Sequence, residues 1–240
     1  RLEPLMALRR AADVKAGSAI ALVAEARGIA HQLCESLGSL SRNDATLPPD
    51  IRAALRDLRG FGIKFARRSN YLPKLIRPDA AALLALLWAV KRGLEHIPPA
   101  PQAGLTSFEI DEDTPLGFLE AAGFRVIGNR AVRLDILDRL EDELEAAAKD
   151  GRNADAMMPK LVSFLGTDVT TLERVLGKLG WRKIEVAGEP PTSVWRHKTD
   201  HPQPQRPQHK PHKSKPERRP KVKIDPDSPF AKLASLVTSK

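Results

Sequence analysis

Apolar positions from Ala19 to Leu40 recur at alternating steps of four and three (Ala19, Val23, Ala26, Ala30, Leu33, Leu37, Leu40), which is the period of one helix face. Ser18 stands where an N-cap would, so the pattern predicts a long amphipathic helix over 18–40 after a frayed start. The stretch SLSRNDATLPP ends it. Pro49 then precedes a second helix over 50–58, at a position where a missing N–H is tolerated. Gly60 and Gly62 interrupt the pattern, SNYLPKLIRP carries two prolines, and a helix over 79–94 follows Pro78. Leu83, Leu84, Leu86, Leu87, Trp88 and Val90 surround that helix with apolar side chains, so it is expected to be the most buried one.

The segment IPPAPQAGLTS supplies few donors and no periodic apolar face, and reads as a proline-rich connector over 98–114. It would separate a helical domain of residues 1–97 from a module over 115–198. That module begins with a short helix over 115–122, a strand-like FRVIG and a charged helix over 131–148. Leu134, Leu137, Leu140 and Leu144 point inward on this helix, and its exposed face is acidic. Next come a helix over 159–165 and another, capped by Thr167 or Asp168, that reaches Leu179 with Val169, Leu172, Leu176 and Leu179 on one side. WRKIEV and TSVWRHK flank AGEPP and alternate in the manner of paired strands. Helices followed by a hairpin match a winged helix, to which FRVIG could add a strand. The expected fold is mainly α: a helical bundle, then a winged-helix-like module with a small β-hairpin, then a disordered basic tail.

Composition sharpens the last part. The chain carries a net charge of +9, and residues 196–223 hold ten Lys or Arg against Asp200 and Glu217, which leaves only +1 for residues 1–195. Residues 199–227 contain Pro, Gln, His, Lys and Arg with hardly an apolar side chain, too few to offset the entropy of ordering a backbone. They are expected to form a disordered basic linker. In the final stretch, 228–240, Phe230, Leu233 and Leu236 recur at helical spacing behind Ser228 and Pro229, as in a short docking helix for a protein partner. The longest apolar run, from Ala80 to Val90, falls short of the ~18 residues that span a bilayer. The lone Cys34 fits a reducing, cytoplasmic setting, and the absence of Met at Arg1 suggests a piece of something longer.

Nucleic acid is the expected partner, RNA or another single strand. In the tail, Arg206, Lys210, Lys213, Lys215, Arg218, Arg219, Lys221 and Lys223 are spaced by prolines and suit loose phosphate contact, with no aromatic interleaved for stacking. The alternative is a solvated linker. In the body, Arg67, Arg68, Tyr71 and Lys74 form the densest polar cluster, with a ring that could stack on a base; the competing reading is a helix corner with Tyr71 half buried and the arginines in water. On the 168–179 helix, Thr171, Arg174 and Lys178 should face outward, with Arg182, Lys183, Arg196 and Lys198 on or beside the hairpin. Against this, Glu173 shares that face. Arg125, Arg130 and Arg133 make a further surface, with Asp135 and Asp138 near enough to pair with them. His31 and Cys34 read as a satisfied helix histidine and a core thiol, the acidic run 138–145 as a solvated helix surface, and the tail histidines as no metal site. No residue is expected to be catalytic, and the chain itself is expected to need no cofactor.

Four strings carry a resemblance: RGIAHQLCESLGSL from Arg27, FGIKFARRSNYLPKLIRPDAAALLALLWA from Phe61, GFLEAAGFRVIGNRAVRLDILDRL from Gly117 and SFLGTDVTTLERVLGKLGWR from Ser163. They resemble, in order, the region that follows the two RecA-like motor domains in bacterial superfamily-two helicases of the mitochondrial degradosome type. SPFAKLASL also looks like endings seen there. The resemblance implies an ATP-dependent RNA, or RNA and DNA, helicase as the parent protein, with ATP and Mg used by a motor ahead of Arg1. This chain has no G-x-x-x-x-G-K-[ST] loop with which to hydrolyse ATP itself. The runner-up role is a docking scaffold for a nuclease or another RNA-degradation partner.

Overall fold

Residues 3–13 carry apolar side chains at Leu5, Leu8, Ala11 and Ala12, a helical stripe with Pro4 in the first turn, and they form α1 (Glu3–Asp13) rather than a frayed start. A computed structural model describes residues 1–14, 22–42, 51–111, 113–186 and 192–198. Helix α2 (Ala24–Glu35) buries Ala26, Ile29, Ala30 and Leu33 against α1. It stops short of Leu40. Leu37 and Gly38 take φ values of 54° and 92°, and the Gly38 N–H donates to the Leu33 carbonyl at 2.7 Å, a left-handed closure that ends the helix. Leu40, expected on the helix face, is instead buried in strand β1 (Ser39–Ser41). The expected cap Ser18 lies outside the described residues.

A Cβ on Gly38 would stand 2.3 Å from Leu75 Cδ1, at a backbone angle that side chains disfavour. Gly38→Ala is therefore expected to destabilise the fold by about 2 kcal/mol. A thermal melt indistinguishable from that of the parent chain would contradict this turn.

Helix α3 (Ile51–Gly60) buries Ala54 and Leu58, and the chain turns at Gly62 into β2 (Lys64–Phe65) and β3 (Ser69–Tyr71). These pair in an antiparallel sheet of order β1-β3-β2. A 3-10 turn at Pro73–Leu75 leads to α4 (Pro78–Lys91). This helix is not the sheathed core element its composition suggests. Leu84, Ala85 and Ala89 are buried, whereas Leu86, Leu87 and Val90 are exposed, Val90 by 65%. Among the described residues, one side of α4 is packed against the fold and the other carries these exposed side chains.

The proline-rich stretch ends in strand β4 (Ser107–Glu109), which pairs with β6 (Arg130–Arg133). After α5 (Leu116–Ala121), FRVIG forms β5 (Phe124–Ile127) and turns through Gly128 and Asn129 into β6. Its sheet, of order β4-β6-β5, is separate from the later hairpin, so FRVIG adds no strand there. Ala131 and Val132, expected to open a helix, are the buried centre of β6, and α6 (Leu134–Asp150) begins just after them.

Helix α6 turns Leu134, Leu137, Leu140 and Leu144 inward as its spacing requires. Helix α7 (Ala154–Leu165) starts earlier than expected, because the Asn153 side chain accepts the Asp155 N–H at 2.8 Å and caps it; Pro159 lies within the helix. Asp168 caps α8 (Val169–Leu179), accepting the Thr171 N–H at 2.9 Å. Val169 faces water instead of the core, since it opens the helix ahead of the stripe formed by Leu172, Val175, Leu176 and Leu179. The hairpin β7 (Trp181–Val186) and β8 (Thr192–His197) completes a core in which Trp181 and Trp195 lie with Leu140, Leu161 and Leu176. Among the described residues the protein is mostly helical, with eight α-helices and three small antiparallel sheets. Residues Arg1–Asp200 form one compact unit.

Candidate nucleic-acid interface

The acidic face of α6 is only in part a solvated surface: Asp142 is exposed and Glu143 and Glu145 are partly so. Asp138 and Glu141 are buried, and the basic side chains of β2 and the following turn lie over them. Lys64 pairs with Asp138, Arg67 with Glu145, and Arg68 Nε lies 2.6 Å from Glu141 Oε1. Another Arg68 N–H donates to the Leu179 carbonyl at the end of α8, a group that the helix itself leaves unsatisfied. The expected basic cluster therefore binds the two halves of the chain together.

Tyr71 takes part in the same contact and cannot stack on a base. It is 1% exposed, and its hydroxyl donates to Asp138 Oδ2 at 3.4 Å. Burial, then the Asp138 carboxylate, raises the Tyr71 hydroxyl far above its ordinary range, so it stays a proton donor. Lys74 is also removed from the cluster. It lines a different groove with Arg1, Phe61 and Arg77, against α1 and the start of α4.

Beside this contact opens a cleft of about 470 Å³. Its basic wall is Arg42, Arg67, Arg68, Arg125 and Lys178 with His197 beside them, its remaining lining is Val126, Ile127, Gly128 and Leu179, and among the described residues no carboxylate lines it. The side chains of this wall come from several elements. Arg42 follows β1, with its backbone N–H donating to the Arg68 carbonyl at 2.8 Å. Arg125 extends from β5 and donates to Ser41 Oγ at 3.0 Å. Lys178 is exposed on the last turn of α8, and Arg174 lies one turn earlier on the same face. His197 Nε2 is 3.1 Å from the Leu179 carbonyl, and its ring stands edge-on to Trp181.

The other expected hairpin cations divide. Lys183 is paired with Asp155. Arg182 and Arg196 are exposed and directly opposite in the β7–β8 register, so they share the face away from Trp181 and Trp195. Like charges so placed repel, and an anion between them relieves the repulsion. Lys198 is exposed just beyond. Thr171, expected to face outward, is buried, with its hydroxyl on Asp168 at 2.7 Å. The tail cations from Arg206 to Lys223 and the docking residues Phe230, Leu233 and Leu236 lie outside the described residues.

Of the residues missed by pattern, Arg42 sits in a stretch that reads only as a helix breaker. Of the second arginine group, Arg125 reaches the cleft while the others are engaged elsewhere: Arg130 Nε donates to Ser107 Oγ at 2.8 Å, and Arg133 binds Asp135 through two nitrogens. Cys34 is buried and its thiol is pushed up to about 11 by that burial; His31 lies 3.9 Å from Asp13. No thiolate–imidazole pair forms between them. Among the described residues no cluster of His, Cys, Asp and Glu could hold a metal ion.

What this arrangement offers chemically is a polyvalent cationic surface. Guanidinium groups supply forked donors that match the two free oxygens of a phosphodiester. Compared with protein-family models, with curated proteins and with solved structures, the chain matches none of them.

Proposed function

We propose that this chain is a non-hydrolysing accessory region of an ATP-dependent RNA, or RNA and DNA, helicase of the type it resembles. Its cleft holds the phosphate backbone of a single strand close to a motor that uses ATP and Mg. The observation that carries this reading is the cleft wall, where Arg42, Arg67, Arg68, Arg125 and Lys178 converge with no carboxylate among the described lining residues. Three helices followed by a hairpin support a winged-helix-like module within residues 115–198. Arg174, Arg182, Arg196 and Lys198 extend the cationic surface from it. The basic tail adds loose, salt-sensitive affinity without base readout. A cytoplasmic setting belongs to the same proposal; no described helix is long and apolar enough to cross a membrane.

A second reading is favoured by a specific feature, the exposed row Leu86, Leu87 and Val90 on α4, which suits contact with another protein. In that role the chain is a docking scaffold for a nuclease or another RNA-degradation partner, aided by the 228–240 segment.

The test is a titration of labelled single-stranded RNA with the whole chain and with a chain ending at Lys198. The shorter chain is expected to bind more weakly and with a shallower salt dependence, because each phosphate that is no longer neutralised removes about 0.7 from the log–log slope. Equal affinity for both chains removes the tail from the proposal. No binding by the shorter chain, even at low salt, removes the cleft.

A further inference from the structure

Arg67 faces two cavities at once. One is the cationic cleft. The other is an acidic hollow of about 320 Å³ lined by Asp138, Glu141, Asp142 and Glu145, and Arg42 and Arg67 belong to the walls of both.

The carboxylates of the hollow are not equivalent. Asp138 and Glu141 have side chains 4% and 3% exposed and are held by Lys64, Tyr71 and Arg68. Glu145 is 38% exposed, and it is paired with Arg67. An ion pair so open to water contributes roughly 0–1 kcal/mol, so its partners exchange readily, while a buried pair does not. The Arg67 guanidinium also lies over the Trp181 ring, 5.8 Å from its centroid, which holds its position whichever anion it binds. A carboxylate and a phosphodiester each present two oxygens sharing one negative charge, and each fits the same guanidinium fork.

We infer that Glu145 is a built-in substitute for a nucleic-acid phosphate. In the free chain its carboxylate occupies Arg67, and a single strand entering the cleft displaces it, so that Arg67 passes from the internal carboxylate to a backbone phosphate. This rests on the cleft being the strand-binding surface. The exchange lowers affinity for any single anion, which must compete with Glu145 alone. A polyanion that already engages Arg42, Arg125 and Lys178 meets the same competition with its other phosphates already held. The cleft thus discriminates between small anions and an extended strand.

The experiment titrates fluorescein-labelled oligouridylate with the full chain over a range of salt. Glu145→Gln is expected to bind about fivefold more tightly at about 0.1 M salt, with the log–log salt slope steeper by about 0.7, as expected when Arg67 neutralises one further phosphate without competition. Glu143→Gln removes the same charge from the same helix, but Glu143 pairs with Lys160 and Arg152 and, unlike Glu145, does not line the acidic hollow. It is expected to change affinity less than about twofold. Arg67→Gln is expected to change little in the parent chain and to erase the tighter binding in the Glu145→Gln background, a non-additivity that a general charge effect would not produce. Glu145→Asp keeps the charge while shortening its reach, and moves affinity in the same direction by less.

If Glu145→Gln matches Glu143→Gln while Lys178→Glu still weakens binding, the cleft stands and the exchange is overturned. If Lys178→Glu has no effect either, the cleft itself is not the binding surface, and the exchange falls with it.

Discussion

Arg68→Ala is expected to lower the melting temperature by about 10 °C, which corresponds to roughly 3 kcal/mol in a unit of this size. Two groups lose their partner together. The Glu141 side chain is 3% exposed, and its carboxylate is left as a buried charge without its cation. The Leu179 carbonyl at the end of α8 loses the donor that reaches it from 111 residues away, although His197 Nε2 still lies 3.1 Å from it. Both are penalties of removal and do not measure how much the pair contributes against an apolar alternative. Replacing both sides, Arg68→Met with Glu141→Leu, should therefore recover most of the loss, since neither group is then stranded. Calorimetry of the three variants checks this. A single variant that melts with the parent chain would show that Arg68 does not bridge the two halves.

The second large effect concerns binding. Reversing Arg42, Arg125 and Lys178 to Glu is expected to weaken single-stranded RNA binding by roughly a hundredfold at about 0.1 M salt, from about fivefold for each phosphate left without its cation. These three are the informative positions because they line the cleft without a carboxylate partner among the described residues. Arg68 is unsuitable for the purpose, because its substitution also disturbs the packing against α6, and Arg67 is already engaged by Glu145. The log–log salt slope should fall by about 2 with the affinity. A reversal variant that keeps its melting temperature and still binds at parental strength would leave the tail as the sole source of affinity.

The interlock also explains why a body with a net charge near zero can present a cationic cleft. The acids and the bases are segregated. Asp138, Glu141 and Glu145 are turned toward the β2–β3 region and neutralised there, while Arg125 and Lys178 line only the cleft and Arg42 borders both cavities. Averaged along the chain, the two cancel; in space, they do not.

How much of this was legible depended on the range of the interaction that decides each feature. The inward faces of α6 and α8, the Asp168 cap and the β7–β8 hairpin are local, and several turns or residues of regular spacing announce them. Strands of two to four residues such as β2, β3 and β4 are too short to display a period, so they read as loop or connector. The early end of α2 depends on one left-handed turn at Leu37 and Gly38, inside a periodic pattern that otherwise runs on to Leu40. Apolar residues all round α4 suggested full burial, yet which of its sides is covered depends on what else folds against it.

The amino-acid sequence by itself therefore determined the mainly helical class, the order of the last three helices and the hairpin, and the concentration of positive charge toward the C-terminal end. These follow from neighbours a few positions apart and from simple counting. Only the tertiary structure decided that Asp138 and Glu141 of α6 are buried against Lys64 and Arg68, that Tyr71 is a core hydroxyl, and that Arg42, Arg125 and Lys178 share one cleft. Arg68 and Glu141 are 73 residues apart, and no local period links them. Electrostatic partners are chosen by distance in space, and that distance exists only once the helices and short sheets have closed around their core.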